Sequence, residues 1–158
     1  MNKKNEHGAH VFDEALQKAN EWLHEILEVA GWTNPHTAYS ALRATLHTLR
    51  DRLPADEAVD FASELPMLIR GLFFEGWKPT NKPDKSMKTL DDFYNRVLEH
   101  FKSDQPVHPD KVVSSVLIVL AKRMSFGEIR QIQKQLPEKM REIWPPETIS
   151  TVTEEVFI

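Results

Sequence analysis

The chain reads as all-α: a compact helical bundle of two tandem four-helix repeats, each long-long-short-short, with approximate internal two-fold symmetry. Three observations predict this. Apolar residues recur at three and four between ten prolines, and no window shows sustained strand alternation with Asn-Gly or Asp-Gly turns. Helix-starting and helix-stopping residues punctuate the chain at regular places. The second half also repeats the helix order of the first.

The elements follow in order. Residues 1–11 form a polar tail. A first helix over 12–30 has the stripe Phe12, Ala15, Leu16, Ala19, Trp22, Leu23, Ile26 and Leu27, all expected to face the core. Gly31 stops it. Thr33-Asn34-Pro35 opens a second helix with a capping side chain and Pro in the first turn. Its stripe is Ala38, Leu42, Thr45, Leu46, Leu49 and Leu53, and Pro54 ends it. A short helix spans 55–64. Another opens at Pro66 and closes at Gly76, which completes repeat 1 over 12–77. Residues 78–88 contain four Lys and two Pro, a composition that disfavours helix and packing alike and reads as a solvated linker.

Helices resume in repeat 2, residues 89–145, the two repeats forming one compact domain. One helix spans 90–101 and another 109–124. The segment Val112 to Leu120 is apolar almost all round, which marks the second of these as the central helix. Ser125-Phe126-Gly127-Glu128 matches a capping box and starts a short helix. Pro137 starts the last one, which ends at Trp144-Pro145-Pro146. Residues 146–158 form a C-terminal tail.

Sliding the chain against itself by 71 residues aligns 19–74 with 90–145, and ten of 56 pairs are identical. They include Pro35/Pro106, Arg52/Arg123, Pro66/Pro137 and Arg70/Arg141. Pairs such as Trp22/Phe93, Leu42/Val113 and Phe73/Trp144 keep core positions apolar, which marks a duplicated unit. Two copies are too few for a solenoid, so each half is expected to cover the other's apolar face.

Leu49-Arg-Asp-Arg-Leu-Pro54, Leu65 to Pro79 and Leu136 to Pro145 together carry a family resemblance. Over roughly residues 12–146 the chain resembles the uncharacterised bacterial family called domain of unknown function 2267. The resemblance implies a duplicated all-helical fold and a bacterial cytosolic setting, and it implies no activity. Members often have Tyr-Tyr where this chain has Phe73-Phe74.

Composition excludes several functions. The absence of Cys removes disulfides, thiolate metal sites and cysteine nucleophiles. A net charge of -4 gives no electrostatic reason to seek nucleic acid or an anionic membrane. No apolar run reaches the roughly 20 residues of a membrane span, and the polar start lacks a signal peptide. A cytoplasmic protein is expected. No nucleophile elbow, metalloprotease motif or phosphate loop is present, so no catalytic residue is named and no cofactor is expected.

The candidate metal ligands are Glu21, His24 and Glu28, from a Glu-x-x-His step on a helix. A di-iron site would need the step twice, and the matching place holds Asp92-Phe93-Tyr94-Asn95. His7 and His10 lie in the N-terminal tail, where they could bind metal only adventitiously. The candidate partner-binding residues are Arg70, Phe73, Phe74 and Trp77, an aromatic crowd at a short helix end framed by a guanidinium. The same aromatics could instead fill the core between repeats. The recurring arginines read as helix C-cap partners or, alternatively, as an anion site on the symmetry axis. The tail Thr153 to Ile158 could add to a partner as a strand. The expected function is non-enzymatic, through contact with an unknown protein or with itself. The alternative is a small-molecule or metal-binding protein with a pocket between the repeats.

Overall fold

The computed structural model describes residues 9–101, 107–146 and 148. Among them the chain forms seven α-helices and one 3-10 helix, with no strand. In the first half these are α1 (His10–Ala30), α2 (Pro35–Asp51), α3 (Ala55–Ser63) and α4 (Met67–Phe74). The second half has α5 (Leu90–His100), α6 (Pro109–Arg123), α7 (Phe126–Gln135) and the 3-10 helix Glu138–Ile143.

The boundaries follow local chemistry. Gly31 ends α1 at φ 74°, a left-handed conformation open to glycine at no steric cost, and its amide closes on the Leu27 carbonyl at 2.8 Å. The Asn34 side chain accepts from the His36 amide at 3.0 Å and Pro35 occupies the first turn of α2. Thr89 and Asp92 form a full capping box on α5. The box expected at Ser125 is only half made. Ser125 accepts from the Glu128 amide at 3.3 Å, but its own amide and hydroxyl both donate to Glu64 of the first half, at 2.8 and 2.7 Å.

Each half's long helices cross-pack on the other's: α1 on α6, and α2 on α5. Within the halves α1 meets α2 and α5 meets α6; α2 also meets α6, and α3 meets α7. α4 lies on α1 and α2, while the 3-10 helix lies on α5 and α6. One continuous core results, with Ile26, Leu46, Phe61, Phe73, Phe93, Leu117 and Trp144 among its members.

Three expectations need correction. α6 is deeply buried as expected, but α2 is buried around nearly its whole circumference, from Ala38 to Arg50. Small and polar residues in α2 disguised this. The segment 78–88 is not a free linker. The Asp84 amide donates to the Asp51 carbonyl at 2.7 Å, Arg52 Nε donates to the Met87 carbonyl at 2.8 Å, and the Met87 side chain is buried. The carbonyls ending α2 need donors, and this strap supplies one. Finally, Phe12 and Leu16 do not reach the core: α1 has no buried residue before Trp22.

Candidate functional site

The densest polar chemistry lies where α2 meets the end of α4. Arg43, His47 and Arg50 are spaced four and three residues apart, so they line one face of α2. All three reach the same target. His47 donates from Nε2 to the Leu72 carbonyl at 2.8 Å. Arg50 Nη1 donates to the carbonyls of Phe73 and Glu75, both at 2.6 Å. Arg43 binds the Glu75 carboxylate through Nε and Nη2, at 3.2 and 3.1 Å. Orphan carbonyls at a helix C-terminus attract cations, and here a neighbouring helix provides them.

The surroundings complete the cluster. His47 is 2% exposed and Arg50 5%. Arg50 Nε donates to Asp51 at 3.2 Å, and Lys82 lies 3.8 Å from the same oxygen. The His100 ring of α5 meets His47 edge-on at 6.2 Å. Burial, with Arg50, Arg43 and His100 nearby, lowers the pKa of His47 from 6.5 to about 4, so it is neutral at pH 7. Burial also lowers that of His100. The arrangement is a clamp whose donors are already engaged by protein oxygens.

The structure brings Phe73, Phe74 and Trp77 together at this clamp, buried or half-buried, and leaves Arg70 exposed and apart from it. Phe73 is fully buried and stacks on Phe61 at 5.4 Å. Phe74 is half-buried between Phe73 and Trp77, 5.2 Å from each. Trp77 is half-buried too, and its indole N–H is enclosed. Arg70 turns to the end of α3, where it donates to the carbonyls of Ala62 at 3.0 Å and Leu65 at 2.9 Å. It caps a helix and does not frame the aromatics. α4 lies across two helices at once, so its aromatics are drawn inward.

The other arginines behave similarly. Arg141 donates to the Leu136 carbonyl at 3.2 Å, Arg52 holds the strap, and Arg123 Nε donates to Glu25 at 2.6 Å beside the Trp22 ring. They do not converge on an anion site. Of the candidate metal ligands, His24 lies 3.1 Å from Glu28, while Glu21 faces Lys18 at 3.4 Å. Among the described residues no group of three or more His, Asp or Glu could hold a metal ion. His10 faces Glu14 at 3.1 Å; His7 and Thr153 to Ile158 lie outside the described residues.

Two features escaped the sequence reading. The Arg-His-Arg ladder of α2 was visible in principle, as cationic types on one helical face. The exposed apolar residues were not. Val11, Phe12 and Leu16 on α1, and Met67 and Leu68 on α4, are about half exposed or more. No described helix is long and apolar enough to cross a membrane.

Residues 19–143 match the family model described as uncharacterized conserved protein DUF2267. No curated protein matches the chain. The chain belongs to the DUF2267 family.

Proposed function

We propose that this DUF2267 member is a non-enzymatic, cytoplasmic bacterial protein that acts by docking on another protein or on itself. The observation that carries this reading is a group of large apolar side chains left uncovered beside the core, Val11, Phe12 and Leu16 on α1 and Met67 and Leu68 on α4, with Tyr39, Val59 and Leu98 exposed singly elsewhere. Single exposed apolar residues are ordinary, whereas several on one short element mark a contact surface. The polar clamp supports the same reading indirectly. Its buried donors hold α4 in place and are engaged, whereas a ligand site between the halves would call for free ones.

The reading includes a duplicated four-helix unit with approximate two-fold symmetry. The element contacts support it: α1 with α6 mirrors α5 with α2, and α4 on α1 and α2 mirrors the 3-10 helix on α5 and α6. The hydrogen bond from Arg70 to Leu65 also has its counterpart in Arg141 to Leu136, at the 71-residue offset.

Native mass spectrometry of the untagged protein from its own host tests this function. The expected result is a dimer, or a complex with a second protein that Met67→Ser with Leu68→Ser, or Phe12→Ser with Leu16→Ser, abolishes. A monomer carrying a small molecule or metal would overturn it in favour of the ligand-binding alternative.

A further inference from the structure

His47 is sealed in a place that suits only its neutral ring. It is 2% exposed and Nε2 donates to the Leu72 carbonyl at 2.8 Å, so Nδ1 is the nitrogen left to take up a proton. The charged groups nearest to it are cations. Arg43 and Arg50 share its face of α2, and the His100 ring of α5 meets it edge-on at 6.2 Å. The carboxylates of this region are already held: Glu75, just past α4, by Arg43, and Asp51 by Arg50 and by Lys82 of the strap. Around His100 stand Asp51, Arg43, Arg96 and Glu99, and Arg96 binds both Glu99 and Asp84 of the strap. α1 and α6, which also pack on α2, bury no titratable side chain. A proton on His47 therefore sets a new positive charge beside two guanidiniums, away from bulk water and with no carboxylate of its own.

The element that closes over this ring is short. α4 has eight residues, and no helix follows it until α5. The strap is tied to the end of α2 farther along, through the Asp84 amide and the Met87 carbonyl.

We propose that His47, with His100 beside it, is an acid-sensitive latch: its protonation releases residues 72–77 from α2 while α1, α2, α5 and α6 stay packed. The inference does not depend on the docking reading. The open form uncovers Phe73, Phe74 and Trp77, which in the closed form pack on one another and on the core. The strap's ties at Asp84 and Met87 lie beyond the released part and limit its travel. Burial sets the direction of the switch. Closed, His47 protonates near pH 4; opened to water, it does so near 6.5. Closure is thus fully favoured above about pH 6.5 and weakens as the pH falls toward 4. Burial lowers the pKa of His100 as well, so its exposure acts in the same direction.

Amide hydrogen exchange of the full chain between about pH 7 and about pH 4.5, each rate taken relative to an unstructured chain at the same pH, reads the latch. The amides of Phe73, Phe74, Glu75 and Trp77 should be less protected than those of Val116 and Leu117 in α6 at every pH. Their protection should fall on the order of 30-fold over this range. His47→Gln should keep the lower protection and reduce the fall to less than about threefold. The ring resonances of His47 in the natural chain give a second reading, with titration well below that of an exposed histidine. Equal protection of the two sets of amides overturns the inference, because α4 then leaves only when the whole fold unfolds. A fall that is absent, or that persists undiminished in His47→Gln, overturns it too. So does a His47 ring that titrates as an exposed one.

Discussion

The two most buried helices hold their short partners in different ways. α2 holds α4 with Arg43, His47 and Arg50, reaching three carbonyls and one carboxylate. The same positions of α6, at the 71-residue offset, are Ser114, Ile118 and Ala121, none of them cationic. The 3-10 helix there packs its Met140 and Ile143, with Trp144 just after it, into the core. Phe73 and Trp144 end equally buried. Apolar packing thus suffices to seat the short element, and the clamp adds a cost. Each buried cation must stay paired, because an unpaired buried charge or carbonyl is destabilising. The α2–α4 contact is therefore the fragile and pH-sensitive one.

Breaking the clamp should have the largest effect. Arg50→Met leaves the Phe73 and Glu75 carbonyls without their shared donor and should cost about 3 kcal/mol in urea unfolding. Ala121→Ser, at the matching place, should cost far less.

Titration should separate the contacts next. Unfolded, His47 takes up its proton near pH 6.5; folded, it does so near pH 4. Between these values the unfolded chain binds more protons, so stability rises with pH. It is complete above about 6.5 and should fall by about 2 kcal/mol as the pH drops to about 4. His47→Gln keeps a donor for Leu72 without titrating, and should flatten that part of the stability curve.

A smaller asymmetry lies between α3 and α7. Gln131 donates to Glu57 at 3.0 Å, whereas at the positions 71 residues apart Glu128 has the like charge of Asp60 nearby. Burial, with Glu64, Asp60 and Glu57 nearby, raises the pKa of Glu128. Glu128→Gln should stabilise the fold at pH 7 by about 0.5 kcal/mol, read as a raised Tm. Smallest of all, Phe12→Ser in the monomer should change stability by less than about 0.5 kcal/mol, because that part of α1 lies off the core.

Helices with a clear seam and a strong stop were legible in the sequence. Gly31, Pro35, Pro54 and Pro66 each mark a boundary within a few residues of the observed one. α2 was harder to rank as central, because Ala, Ser, Thr, His and Arg fill its buried positions and hydrophobicity does not reveal them. The strap was misjudged for a similar reason. Its lysines and prolines signal solvent, yet backbone hydrogen bonds and one Met side chain bind it to α2. Phe12 and Leu16 fit the seam as well as Leu23 and Ile26 do. Periodicity gives the face of a helix but not where its neighbours end. Among the partner-binding candidates Phe73 is buried, Phe74 and Trp77 are half-buried and Arg70 is exposed, a split that the sequence does not show because a run of aromatics on a short helix looks alike whether it points in or out.

Because α1 packs on α6 and α2 on α5, neither half encloses a core by itself. A cut in the strap between Pro79 and Lys82 would therefore yield two pieces that are each incomplete, yet shaped to recombine. Such a pair should work as a split protein: inert apart, and restored when co-expressed.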